Sequence, residues 1–85
     1  MTKYDKMIAK VLSGRSDTNI DFDELRRLLM RLGFSERIRG SHHLFVRTGI
    51  DNLVNLQRDG NLAKPYQVRQ VRTVITTYGL TTEEE

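Results

Sequence analysis

The sequence predicts an α+β fold of order α-α-β-β-β-α, with a three-stranded antiparallel sheet and helices on one of its faces. Three observations lead there. Residues 21–33 carry an apolar stripe at helical spacing with start and stop signals at both ends. Between Phe34 and Gln57 the period changes to short runs rich in Phe, Ile, Val and Leu, broken by glycine-containing turns. From Pro65 to Tyr78 the helical period returns.

The first helix is expected over Thr2 to Ser13, where Tyr4, Met7, Ile8 and Val11 fall on one side. Thr2 suits the N-cap, Asp5 completes a capping box, and Gly14 provides a stop before the polar loop Arg15–Asn19. The second helix starts at an Asp21 N-cap with Glu24 at its third position, and Ile20 is placed to staple onto Leu25. Phe22, Leu25, Leu28, Leu29 and Leu32 form its stripe, with Arg26, Arg27 and Arg31 between them. Gly33 takes the left-handed cap position and Phe34 the hydrophobic contact that follows it.

Strands are expected at about 34–39, 42–48 and 53–57, separated by Arg39-Gly40-Ser41 and Thr48-Gly49-Ile50-Asp51-Asn52. Leu44, Phe45 and Val46 are consecutive, which predicts a middle strand covered in part on both faces. Arg58–Lys64 reads as a loop with a turn at Asp59-Gly60, and Pro65 suits the first position of the last helix. Val68, Val71, Ile75 and Tyr78 recur at helical spacing. Their β-branched neighbours argue for a strand, but the period and the Gly79 stop decide for helix.

At 85 residues, 38% hydrophobic and 29% charged, the chain has the length and balance of one globular domain, 1–85. Absence of cysteine excludes disulfides, thiolate chemistry and cysteine-based zinc sites, and two histidines make a poor metal site. No cofactor is implied. No apolar run is long enough for a membrane span and no secretory leader is recognisable, so the expected location is the cytoplasm. Net charge is +3, but three acids lie in a terminal run at 83–85 that is expected to fray. Without them eight acids face fourteen cations, ten of them arginine. Arginine forks grip phosphate in pairs of hydrogen bonds and stack on bases, which puts nucleic acid first among partner classes.

Gly40-Ser41-His42-His43-Leu44-Phe45 gathers both histidines at the mouth of a strand. For such a pair the commoner outcome is one packed and one solvated ring. Either ring can exchange protons at neutral pH. Ser41 and His42 are neighbours on a strand and point to opposite faces, so they do not form a nucleophilic dyad. RNA, however, carries its own nucleophile, the 2′-OH, and its cleavage needs only a base and cations around the phosphate. Arg37, Arg39 and Arg47 flank the histidines, and Lys64, Arg69 and Arg72 form a second basic group on the last helix.

Leu29-Met30-Arg31-Leu32-Gly33-Phe34, then Arg39-Gly40-Ser41-His42-His43-Leu44-Phe45, then Lys64-Pro65-Tyr66-Gln67-Val68-Arg69-Gln70-Val71-Arg72 together resemble the HicA (YcfA-like) toxin family. The resemblance runs from about Asp21 to Leu80, leaving 1–14 as an N-terminal helical extension. It implies a fold similar to double-stranded-RNA-binding domains. It also implies an mRNA interferase, an endoribonuclease that needs no metal, neutralised by a HicB-type antitoxin. The family's essential histidine follows the Gly-Ser pair and corresponds to His42, as base towards the 2′-OH or acid towards the leaving 5′-oxygen. Arg39 and Lys64 are the expected phosphate contacts, with Arg47, Arg69, Ser41 and His43 as further RNA-binding candidates. Many members carry a Pro-Arg-His-like stretch on the third strand, where this chain has Val54-Asn55-Leu56-Gln57-Arg58. The alternatives are a non-catalytic double-stranded-RNA-binding module and a small domain whose basic face meets an acidic protein.

Overall fold

A computed structural model describes residues 2–81; the acidic run at 83–85 lies outside the described residues. The element order is α1 (Lys3–Ser13), α2 (Phe22–Arg31), β1 (Ser35–Arg39), β2 (His42–Arg47), β3 (Ile50–Leu56), β4 (Arg58–Asp59), β5 (Leu62–Ala63) and α3 (Pro65–Tyr78). Strands β1, β2 and β3 form an antiparallel sheet in that order, as expected for α-α-β-β-β-α.

The helix ends follow the local chemistry of the chain. Thr2 Oγ1 accepts from the Asp5 backbone N–H and Asp5 Oδ2 accepts from the Thr2 N–H, each at 3.1 Å, which closes the capping box of α1. The Asp21 carboxylate accepts from the Glu24 N–H at 3.0 Å and caps α2. At the other end of α2, Gly33 N–H donates to the Met30 carbonyl and Phe34 N–H to the Leu29 carbonyl, both at 3.0 Å. That paired closure requires a left-handed residue, and Gly33 has φ +95°. Pro65 occupies the first turn of α3.

One apolar cluster joins Phe22, Leu25, Leu28 and Leu29 of α2, Val68, Val71 and Ile75 of α3, and Phe45, Val54 and Leu56 of the sheet. Met7 and Val11 bring α1 onto the same cluster. In β2 the odd residues His43, Phe45 and Arg47 share the helix-covered side, and His42, Leu44 and Val46 share the other. Phe45 is fully buried, while Val46 on the opposite face is 47% exposed. The run Leu44-Phe45-Val46 is therefore a one-sided strand with an apolar open face.

Two boundaries depart from the sequence reading. Strand β3 begins at Ile50 rather than at residue 53, because the β2–β3 turn is only Thr48-Gly49, with Gly49 at φ +90°. The pairing passes from Phe45↔Val54 to Arg47↔Ile50, so β3 carries two extra residues there. A shift of two preserves sidedness. Ile50 thus still packs on the core, and Asp51 and Asn52, poor strand formers, lie in the irregular stretch. The second departure is the expected loop 58–64, which is a small hairpin, β4–β5, turning at Gly60-Asn61. Neighbouring backbone fixes it: Phe22 N–H donates to the Asn61 carbonyl and Ala63 N–H to the Ile20 carbonyl, both at 2.8 Å.

Three arginines act as struts. Arg72 reaches from α3 to Asp17 through both Nη atoms, at 2.9 and 3.1 Å, and also donates to the Val11 carbonyl at the end of α1. Arg26 grips Glu36 through Nε and Nη2 at 2.7 and 2.9 Å, and Asp23 through Nη1 at 2.9 Å. Arg58 reaches Asp23 at 2.8 Å and lies 4.6 Å over the Phe22 ring. The Arg72 hydrogen bond holds the Asp17 carboxyl below its ordinary value, those from Arg58 and Arg26 do so for Asp23, and Arg26 followed by His43 does so for Glu36. A carboxyl depressed in the folded state stabilises fully above its unfolded pKa, about 4, and loses that contribution as pH falls through the folded value. Urea unfolding is therefore expected to show a steep loss of stability below about pH 4 as these three carboxyls take up protons. In Glu36→Gln the loss is shallower and the neutral-pH stability lower by about 1–3 kcal/mol.

Candidate functional site

Chain geometry turns the two adjacent histidines away from each other. The β1–β2 connection is the two-residue turn Gly40-Ser41, with Gly40 at φ +60°, which places Arg39 directly opposite His42. Facing residues of an antiparallel pair project to one side, so Arg39 and His42 share the open face, as do Arg37 and Leu44. His43, paired with Ile38 and Leu56, turns towards the helices.

His42 is exposed, and its Nδ1 lies 3.2 Å from Oδ1 of Asn55 on β3. An amide oxygen only accepts hydrogen bonds, so this contact puts the proton of the neutral ring on Nδ1. Nε2 then carries the free lone pair. Next to it, Gln57 Nε2 donates to Ser41 Oγ at 3.0 Å, while the Gln57 backbone N–H donates to Gln67 Oε1 at 3.0 Å. Gln67 is the buried polar side chain of α3, and its Nε2 approaches the Tyr66 hydroxyl at 3.4 Å. Through Gln57, therefore, the first turn of α3 is joined to the turn that presents His42. The rest of the open face is a shallow depression of about 350 Å³ lined by Arg37, Arg39, Leu44, Val46 and Leu53.

His43 has a different environment. Its Nδ1 is 2.8 Å from Glu36 Oε2, its ring meets Phe22 edge-on at 5.0 Å, and its side chain is 12% exposed. It belongs to the chain of contacts His43–Glu36–Arg26–Asp23–Arg58 that wraps Phe22.

The expected site residues thus divide. Ser41, His42 and Arg39 come together at one end of the sheet, and Lys64, the N-cap residue of α3, precedes the turn that Gln67 ties to the same end. Arg47 is at the far end of β2, on the helix-covered side, where it lies alongside Gly33. Arg69 acts on Asp17 in the α1–α2 loop, beside Arg72, and belongs to that side of α3. His43 is on the reverse of the sheet from His42. In the stretch that departs from the family pattern, Gln57 lines the site edge while Arg58 is bound to Asp23. Of the polar residues joined to this edge, Gln57 falls with Asn55 in the stretch set against the family pattern, while Asn55 and Gln67 carry no site signal of their own in the sequence. The partners of Gln57, Asn55 and Gln67 lie 16, 13 and 10 residues away, and strand register and the packing of α3 bring them in.

Among the described residues no three His, Cys, Asp or Glu side chains converge as a metal site would require, and no helix is long and apolar enough to cross a membrane. Comparison with protein-family models, with curated proteins and with solved structures finds no match.

The two histidines are expected to separate by measurement. His43→Ala removes a packed ring and leaves Glu36 with one partner fewer, so urea denaturation should show a loss of about 1–3 kcal/mol. His42→Ala, at an exposed position, should stay within about 0.5 kcal/mol of the parent chain. A reversed ranking would refute the assignment of faces.

Proposed function

We propose that this protein is an endoribonuclease that uses His42 as its acid–base group and needs no metal ion, a toxin of the HicA type held in check by a HicB-type antitoxin. The observation that carries the reading is the His42–Asn55 contact on an open face bearing Arg37 and Arg39. It is supported by the sequence resemblance around Gly40-Ser41-His42 and by the order of elements.

On this reading Nε2 of His42 accepts the proton of a substrate 2′-OH, and the 2′-oxygen attacks the adjacent phosphorus. The P–O5′ bond breaks, leaving a 2′,3′-cyclic phosphate upstream and a 5′-hydroxyl downstream. Asn55 keeps the ring from turning and fixes its tautomer, the part a third group plays beside any catalytic base. Arg39, facing His42 across the strand pair, and Lys64 beyond the site edge supply positive charge to the phosphorane-like state. His43 is on the other side of the sheet, so the proton taken up by the 5′-oxygen comes from water. Leu44, Val46 and Leu53 offer an apolar floor for a base or for a side chain of the antitoxin.

The test is cleavage of a single-stranded RNA in EDTA by the purified chain. His42→Ala should lower the rate about 100-fold or more while keeping RNA affinity, since a positioned acid–base group contributes about 10²–10⁴. Asn55→Ala should lower it less, with cyclic phosphate ends retained by the residual activity. Binding without cutting by the parent chain, or undiminished cutting by His42→Ala, would refute the nuclease; the former outcome favours a non-catalytic RNA-binding module.

A further inference from the structure

Among the described residues, two groups of cations that line a surface depression have no ion-pair partner. Arg26, Arg58 and Arg72 are each bound to carboxylates of other elements or loops. Arg37 and Arg39 line the open sheet face. The other surface is a groove of about 400 Å³ between α1 and α2, whose lining shares no residue with the His42 face. Lys3, Lys6 and Lys10 of α1 and Arg27 of α2 line it, and none of the four has an ion-pair partner among the described residues.

Lys3, Lys6 and Lys10 are spaced three and four residues apart, so they form one row about 10 Å long down a single side of α1. Arg27 faces them from α2. Tyr4 and Met7 make the floor, and the Arg31 guanidinium lies 5.3 Å over the Tyr4 ring, which holds that ring in place. Glu24 is the single acid on the lining, against four cations. The groove belongs to the helix layer, since α1 packs on α2 and α3.

We infer that this α1–α2 groove is a second RNA contact, a track for the phosphate backbone separate from the His42 face. A row of unpaired cations along a concave strip is what a polyanion of regular charge spacing needs, and single-stranded nucleic acid is held in such grooves. A membrane surface fits less well. An interfacial helix must insert an apolar face, and here Met7 and Val11 are buried in the core. The inference rests on RNA being the ligand of this protein, as proposed above, but not on cleavage. Its consequence is that RNA held at the groove is delivered round the edge of the domain to the sheet, so long substrates bind more tightly than short ones.

The test uses a 20-nucleotide single-stranded RNA with 2′-O-methyl sugars, which lacks the nucleophile and survives the assay. Affinity for the full chain is measured across a salt series. With Lys3, Lys6 and Lys10 all changed to Gln, affinity near 0.1 M salt should fall about tenfold or more, and the slope of log affinity against log salt should shrink by about 2. The matching Lys→Arg triple variant keeps the charges and should retain both, which separates lost charge from lost folding. Unchanged affinity in the Gln variant, with a loss in Arg37→Gln/Arg39→Gln, would overturn the groove and leave the nuclease reading standing. No binding by the parent chain would overturn both. Loss of binding to phosphatidylcholine–phosphatidylglycerol vesicles in the Gln variant, with RNA affinity intact, would overturn the groove as an RNA site and favour a membrane.

Discussion

The carboxylate of Glu36 decides how the sheet meets the helices. It takes two hydrogen bonds from Arg26 on α2 and lies 2.8 Å from His43 on β2. A carboxylate with little exposure is costly unless its oxygens are satisfied, and here three nitrogens from two elements satisfy it. Truncating any one partner leaves charge with less compensation, so the group behaves as a unit. Because β1 and β2 are paired Glu36 to Phe45, fixing Glu36 against α2 also fixes which side of β2 faces inwards. Phe45 and His43 turn in, and alternation then sends His42, Leu44 and Val46 out. The exposure of His42 is therefore a consequence of the inward contact made by its neighbour.

The same accounting changes the meaning of the arginine surplus. Ten arginines suggest a surface built for phosphate. Three of them, Arg26, Arg58 and Arg72, join elements 10, 35 and 55 residues apart, and in an 85-residue chain with a small core such struts carry structure. Their partners Asp23, Glu36 and Asp17 are removed from the surface balance at the same time. Among the cations left without an ion pair, Arg37 and Arg39 line the open face, Lys3, Lys6, Lys10 and Arg27 line the groove between α1 and α2, and Lys64 stands at the start of α3. Net charge gave the direction of the argument, but only pairing shows where the uncompensated charge lies.

Features written in consecutive residues were legible. The α1 capping box, the Asp21 cap, the Gly33 closure and the helical period of α3 are all local, and the structure has them where the sequence places them. Features that depend on distant partners were not. The β3 start at Ile50 needs a two-residue offset against β2, and the β4–β5 hairpin needs the backbone of residues 20–22 to pair with. The histidine pair falls between these cases. One packed ring and one solvated ring was the plain expectation, and it describes what is found. Which ring does which follows from Glu36, whose bonds to Arg26 and His43 no spacing rule reveals.

Asn55 illustrates what remains after fold and charge are set. It faces Leu44 and reaches His42 along the diagonal, so the pleat of β3 aims it at the ring. On the proposed reading, a carboxylate there would fix the same tautomer but would bring negative charge beside an approaching phosphate. An amide fixes the ring without that repulsion, and the site's charge stays positive, with Arg37 and Arg39 on the same face. On the proposed reading the work is thereby divided: the amide orients, the imidazole moves the proton, and the arginines meet the developing charge. That division needs one open sheet face and no ionic machinery of its own, and it can be built on a domain whose ion pairs are already committed to holding it together.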